Sequence, residues 1–281
     1  MDFILTVNSQ QSKNSYASSF YRLPFNQICF IARSLGVAGR RHRNFASNTY
    51  KKFSAAKKRK MQLAPLFPIF YRILQPSFPN CLWMGNPHKK AIALTFDDGP
   101  HPQYTPEVLA VLDRYKITAS FFWLGVCVNR SPGVAKAVSD RGHWIALHGY
   151  DHRSFPMLSP NELKQSLEKT QVAIYNACNL QPEQVRDVRP PNGLFTPTTL
   201  KLFSQWNYRP VMWSVVPEDW VRPGVNTVVK RVMQQVKNGS LIVLHDGVCG
   251  GQDVAATIKI LIPQLLQQGY EFVTVDALWQ R

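Results

Sequence analysis

The sequence predicts an α/β protein: a single deformed (β/α)7-8 barrel preceded by a basic leader. Three observations predict it. From about residue 90, short β-branched or aromatic runs alternate with longer amphipathic ones, the pattern of a parallel sheet with crossover helices. Seven such runs can be read: "AIALTF", "TASFFWLG", "HWIALH", "QVRDVRP", "RPVMWSV", "SLIVLH" and "YEFVTV". Five polar clusters follow runs one, three, four, five and six, as expected where chemistry gathers at the carboxyl ends of barrel strands.

The leader comes first along the chain. The 281 residues carry a formal charge of +16, which would suggest nucleic acid or an anionic membrane surface if it were spread over the fold. It is not spread. Residues 1 to 60 hold 12 Lys/Arg against one acid, Asp2, whereas residues 61 to 281 hold 21 bases and 16 acids. Rich in Ser, Asn and Gln and ending in "KKFSAAKKRK", residues 1 to 60 read as mostly disordered. Their stretch "YRLPFNQICFIARSLGVAG" is too short and interrupted for a membrane span of roughly 20 apolar residues. No charged start with an apolar h-region follows Met1. Two readings compete: a basic arm that touches anionic surfaces, or upstream sequence ahead of a true start at Met61. The second makes "MQLAPLFPIFYRILQPSF" a weakly apolar amino terminus, to be weighed as an export signal or membrane-surface anchor.

Residues 61 to 87, Pro-rich and aromatic, read as a lead-in segment packing on the barrel, and residues 88 to 281 as one domain without internal repeats. A composition of 45% hydrophobic and 12% aromatic residues excludes a chain that is disordered overall. Cys29, Cys81, Cys127, Cys178 and Cys249 show no CxxC spacing, and their odd number argues against a full disulfide framework. They read as core or surface thiols.

The first strand run ends in "TFDDGP". Neighbouring side chains on a strand face opposite ways, but where the strand turns the alternation breaks and Asp97 and Asp98 can reach one cavity. Asp-Gly and Gly-Pro are also ordinary turn dipeptides, so the pair gains meaning only if other ligands converge on it. Two such close carboxylates should not share one job, and a metal on one of them would separate their roles. The third run leads into "HGYDH", where one turn of chain brings His148 and His152 to the same side. In "SPNELKQSLEKTQVAIYNAC", Ser159 and Glu162 form a capping box and Pro160 suits the first helical position. Leu163, Leu167, Ile174 and Cys178 then share one helix face. The fourth, fifth and sixth runs lead into "RPPNG", "PEDW" and "HDG".

Two His and one Asp leave an open coordination position and suit zinc hydrolysis. The same set also suits non-haem iron(II) oxygenases. The second carboxylate favours the hydrolase, because a free carboxylate beside an activated water can take its proton. His245 is either a structural histidine at a strand end or the acid that protonates a leaving group, with Asp219 or Asp246 holding its ring. Arg189 is either an ordinary ion-pair partner or the group that orients Asp97. Trp220 is a packing aromatic or the floor of a small apolar pocket.

With all five clusters in order, residues from about 88 to 281 resemble the polysaccharide deacetylases of carbohydrate esterase family four, which share the NodB homology domain. "TFDDGP" carries most of the likeness. The resemblance implies a deformed (β/α) barrel with a divalent metal, usually zinc or cobalt, that removes acetyl groups from N-acetylated or O-acetylated sugars. It implies Asp97 as general base, Asp98, His148 and His152 as metal ligands, and Arg189 as tether of the base. By the same likeness the backbone amide of Asn192 is an oxyanion donor and His245 the catalytic acid, partnered by Asp219. Trp220 with Val243 or Leu244 would line a pocket for the acetyl methyl. Two positions depart from the family pattern: Asn192 replaces the aromatic of "RxPYG", and Val216 replaces the first acid of "DxxDW".

The expected partner is an acetylated carbohydrate, chitin-like or peptidoglycan-like, acted on by a monomer. Rival readings are an esterase on O-acetyl xylan, an amidohydrolase on a non-sugar amide, or an inactive barrel that binds sugar. No nucleic-acid partner is expected, because the aromatic stacking platforms of such a protein are not interleaved with the basic run of the leader. The substrate class points to the cell envelope or exterior.

Overall fold

The computed structural model describes residues 66 to 280; the leader expected to be disordered, residues 1 to 60, and Met61 lie outside them. Helix α1 (Phe67–Ser77) opens the described chain, and the sheet begins at β1 (Ala91–Asp97). Next come α2 (Tyr104–Tyr115), β2 (Ser120–Trp123), α3 (Gly125–Arg130), α4 (Pro132–Ser139) and β3 (Trp144–Leu147). They are followed by α5 (Pro160–Cys178), β4 (Asp187–Val188), α6 (Pro197–Gln205), β5 (Arg209–Pro210) and α7 (Val225–Gln235). The chain ends through β6 (Leu241–His245), α8 (Gly251–Gln267), β7 (Glu271–Phe272) and α9 (Val275–Trp279).

Each of the seven runs contributes a strand, and every strand pairing is parallel, in the order β5-β4-β3-β2-β1-β6 with β7 against β1. The capping box at α5 forms as read: Ser159 accepts from the Glu162 amide while the Glu162 carboxylate accepts from the Ser159 amide.

The fifth and seventh runs are shorter as strands than their residues suggest. After Pro210 the chain leaves the ladder: Val211 bridges Leu82, and Val215 bridges Ile242 of β6. The gap between β5 and β6 is thus closed by single bridges, helped by the antiparallel contact of Met84 with Ser240, and this is where the barrel is deformed. In "YEFVTV" the final Val275 already begins α9.

Strand alternation sorts the core into two layers. Ala93, Phe122, Ala146 and Leu241 point inward and meet Leu82, Val211, Val275 and Leu278. Ile92, Leu94, Phe96, Phe121, Trp123, Ile145, Leu147, Ile242 and Leu244 form the layer beneath the helices. Each such large apolar side chain contributes about 1.5–3 kcal/mol on burial. At the start of β4, buried Asp187 accepts from Trp144 Nε1 (2.7 Å), Trp279 Nε1 (2.9 Å) and Arg209 Nε and Nη2 (both 2.8 Å). Burial raises its pKa, opposed by the Arg209 guanidinium. One carboxylate therefore fastens β3, β4, β5 and α9 at the end away from the polar clusters.

Candidate active site

The inward parity of Ala93 continues through Thr95 to Asp97, the last residue of β1. Asp98 then adopts a left-handed backbone (φ 73°), which breaks the alternation and turns the second carboxylate toward the same cavity. The peptide bond between Gly99 and Pro100 is cis. Glycine is required here because a Cβ at position 99 would lie 2.5 Å from both carboxylate oxygens of Asp246.

Asp98, His148 and His152 form the cluster the sequence suggested. Asp98 Oδ1 is 3.5 Å from His148 Nε2 and 3.3 Å from His152 Nε2. Ligand atoms set tetrahedrally at about 2.0–2.1 Å from a zinc ion lie about 3.3 Å from one another. A proton inventory supports the same reading. His148 is buried, and its Nδ1 lies 2.7 Å from the Arg189 carbonyl, to which it donates. Its Nε2 is then a bare lone pair. Burial, partly offset by Asp98, pushes the His148 pKa down to about 3, so the ring does not supply a cation itself. Asp98 Oδ1 is buried without a hydrogen-bond donor. Acceptors aimed at one another call for a cation between them, and this donor set fits a divalent metal.

Arg189 holds the first carboxylate. Only 1% exposed, it donates from Nη1 to Asp97 Oδ1 at 2.6 Å and to Thr95 Oγ1 at 2.8 Å, and from Nη2 to the Met212 carbonyl at 2.9 Å. Its guanidinium lies over the Phe122 ring at 3.9 Å. Asp97 Oδ2 stays 4.0 Å from His148 Nε2. One oxygen is therefore fixed by Arg189, and the other faces the cluster.

His245 ends β6, opposite Asp97 in the register and on the side of β1 away from β3. Asp219 rather than Asp246 orients it: Asp219 Oδ1 is 2.9 Å from His245 Nδ1, and Oδ2 accepts from the His245 amide at 2.7 Å. Burial disfavours the imidazolium, but the Asp219 charge and hydrogen bond, with Asp98 and Asp97 beyond, push the pKa up to about 10. Trp220 meets the ring edge-on at 5.2 Å. Asp246 turns instead to Thr105, whose Oγ1 donates at 2.5 Å, and burial raises its pKa to about 7.

Comparison with known proteins places this geometry. The polysaccharide deacetylase family model matches residues 84–211. A peptidoglycan-N-acetylglucosamine deacetylase of Bacillus cereus is 36% identical over 201 residues, 70% of this chain and 91% of that protein. The chain belongs to the polysaccharide deacetylase family. A chitooligosaccharide deacetylase of a Bradyrhizobium strain is 33% identical to this deacetylase-family chain, covering 65% of it and 87% of the relative. Among solved structures, the Bc1960 peptidoglycan N-acetylglucosamine deacetylase superposes with a TM-score of 0.68 at 29% identity, covering 72% of this chain and 93% of the other.

Within this deacetylase-family chain the remaining predicted positions divide. Asn192 is exposed in a left-handed conformation (φ 59°), in a turn whose hydrogen bonds use the Gly193 and Leu194 amides. Its side chain donates from Nδ2 to Ser154 Oγ at 3.0 Å. Leu244 requires a correction. It lies in the layer beneath the helices, because β6 alternation gives the His245 face to Val243 and Leu241. Val243, the other residue named for the methyl pocket, shares the side of the catalytic cluster. Sequence reading missed Thr95, Ser154, Phe122 and the Met212 carbonyl. Thr95 was recoverable, since it stands two residues before Asp97 on one strand; the others meet the site from distant segments.

Proposed function

We propose that this chain hydrolyses the acetamido group of N-acetylated sugars in a polysaccharide or oligosaccharide, peptidoglycan-like or chitin-like, releasing acetate. One observation carries the reading: beside a three-ligand cluster stand two proton-transfer groups, each held by its own buried partner, Asp97 by Arg189 and His245 by Asp219. Relatives named for deacetylation of peptidoglycan N-acetylglucosamine and of chitooligosaccharides support the substrate class.

Asp98, His148 and His152 would hold a divalent cation, zinc first and cobalt next. Such an ion supplies Lewis-acid polarisation of the acetyl carbonyl and lowers the pKa of water. The free oxygen of Asp97 accepts a proton from the attacking water, whose oxygen bonds to the acetyl carbon. The Asn192 amide donates to the negative charge that develops on the carbonyl oxygen. His245, held protonated by Asp219, gives its proton to the sugar nitrogen as the carbon–nitrogen bond breaks. Acetate and a free amino sugar leave. Trp220 and Val243 bound the space for the acetyl methyl. A polymer of this class lies outside the cytoplasm, so the proposal includes work at the cell envelope or exterior.

The test is acetate release by the full chain from N-acetylglucosamine oligomers and from acetylated xylan, with zinc, with chelator, and with Asp97→Asn. The expected result is zinc-dependent acetate from the oligomers, reduced about 10²- to 10⁴-fold by the substitution. Acetate from xylan alone would replace the amidase reading with an esterase one, and none from either substrate would overturn both.

A further inference from the structure

Asp219 can orient His245 only while the turn that carries it holds its course. It spends both oxygens on that one residue, Oδ1 on the ring at 2.9 Å and Oδ2 on the backbone amide at 2.7 Å. A grip at two points tolerates little displacement of the backbone beneath it. The approach to Asp219 is irregular: Val216 has no polar side chain, Pro217 has no amide hydrogen, and Glu218 is left-handed with φ of 57°. A non-glycine residue keeps that conformation only where its surroundings fix it. Arg222, left-handed at φ 56°, closes the turn, and its amide donates to the Asp219 carbonyl at 2.9 Å.

Helix α7 supplies the support. Arg231 and Gln235 are four residues apart and so lie on one face of it. Arg231 Nη1 donates to the Pro217 carbonyl at 2.8 Å and stands 3.5 Å from Glu218 Oε2. The Val216 amide donates to Gln235 Oε1 at 3.1 Å. Two side chains of one helix thus hold residues 216, 217 and 218, the three that lead into Asp219. The Arg231 and Glu218 side chains are only 11% and 5% exposed, so salt screens their attraction far less than that of a surface pair. Val228 and Val232 of the same helix are buried and fix its position. From the opposite side Gly250 closes the space, since a Cβ there would lie 3.1 Å from Asp219 Oδ2 and 3.3 Å from His245 Cβ.

We propose that Arg231, seconded by Gln235, is a positioning residue for His245: it fixes the turn that sets Asp219 against the imidazole and carries Trp220 beside it. Its influence on the reaction passes through Asp219. This inference rests on the proposed role of His245 as the acid.

Arg231→Met should lower kcat for acetate release from soluble N-acetylglucosamine oligomers at least about tenfold. Zinc affinity in a metal-buffer titration should stay within about twofold of wild type, because Asp98, His148 and His152 belong to other segments. Arg231→Lys, which can still donate to the Pro217 carbonyl, should recover most of the lost turnover. Since Arg231→Met also strands a buried carboxylate, Gln235→Leu serves as a second variant that leaves no charge behind, and its kcat should fall in the same direction. In an Asp219→Asn background, Arg231→Met should cost less than about twofold more. A role in bulk stability alone predicts a lower melting temperature, an unchanged kcat below it, and losses that multiply. Either an unchanged kcat in both variants or multiplying losses overturns the proposal. Should the wild-type chain release no acetate, the acid role of His245 falls, and the placement is read instead by the nitrogen NMR shift of His245 Nδ1, assigned with His245→Gln. That shift reports whether the atom carries a hydrogen-bonded proton, and in Arg231→Met and Gln235→Leu it should move toward its value in Asp219→Asn. An unmoved shift overturns the proposal independently of turnover.

Discussion

Asn192 donates its side-chain amide to Ser154 Oγ across 3.0 Å, tying the turn after β4 to the loop that carries His152. Asn192 at one end, and His152 two residues before Ser154 at the other, are left-handed with φ of 59° and 63°. Non-glycine residues hold such conformations only where their surroundings fix them. The hydrogen bond therefore links the placement of the proposed oxyanion donor to that of a proposed metal ligand. A neutral hydrogen bond of this kind contributes about 1 kcal/mol, or roughly fivefold in an equilibrium constant. Asn192→Ala and Ser154→Ala are each expected to weaken zinc binding by about that factor in a metal-buffer titration. The double variant should add little to either single one. Full additivity would show that the two residues act separately.

The Asp219 carboxylate sets the charge on His245. With that carboxylate in place, the imidazolium persists up to about pH 10, and a cation on Asp98 would offset part of the push. Catalysis that needs the protonated ring falls as pH rises through this value. Asp219→Asn removes the main support and leaves the effect of burial, so the alkaline limb of the rate profile should move to lower pH by at least about one unit. Stability follows the same sign: the contribution is complete below the ordinary value of 6.5 and is lost as pH rises through about 10. The variant's melting temperature should accordingly fall less steeply between those limits. An unmoved alkaline limb would remove His245 from the acid role.

Much of this site was legible because its chemistry sits where strands end. "TFDDGP", "HGYDH" and "HDG" each follow a clear strand run, so Asp97, Asp98, His148, His152 and His245 could be placed at one mouth by topology alone. What could not be read was side-chain direction within short or irregular segments. Two-residue strands at Asp187–Val188 and Arg209–Pro210 give almost no alternation to count, and the fifth run breaks off because Val211 and Val215 serve different neighbours. The choice of Asp219 over Asp246 turned on the path of a turn, in which Glu218 and Arg222 are left-handed on either side of Asp219 and Trp220. No propensity in "PEDW" fixes that path.

Arg189 and Asp97 form a buried ion pair, and taking away one member leaves the other charged and unpaired. Arg189→Met should therefore destabilise the fold by about 3–5 kcal/mol and lower turnover, since Asp97 loses its anchor. Arg189→Lys keeps the charge but cannot reproduce the fork that reaches Asp97, Thr95 and the Met212 carbonyl together. Its melting temperature should lie between those of wild type and Arg189→Met. Chemical denaturation of the three proteins gives the order. A fully stable Arg189→Met protein would overturn the reading that this buried ion pair supports the fold.

Leu244 and Val243 are neighbours in β6 with opposite surroundings. Leu244 packs beneath the helices with Leu94, Phe96 and Val254, whereas Val243 shares the inward face with His245. Truncating a fully buried leucine leaves a cavity as well as losing transfer energy, so Leu244→Ala should cost about 2–5 kcal/mol of stability. Below its lowered melting temperature its KM for a soluble oligomer should match wild type, because Leu244 packs in the helix-side layer and not on the face that carries His245. Val243→Phe should behave in the opposite way: a larger side chain on the strand face that carries His245 would crowd the proposed methyl space and lower kcat/KM at least about tenfold, with a smaller loss of stability. Measuring melting temperature and kcat/KM for both variants separates the two faces of one strand. If instead Leu244→Ala damaged kcat/KM while Val243→Phe left it intact, the methyl pocket would have to be built from the other side of β6, against the alternation that places His245.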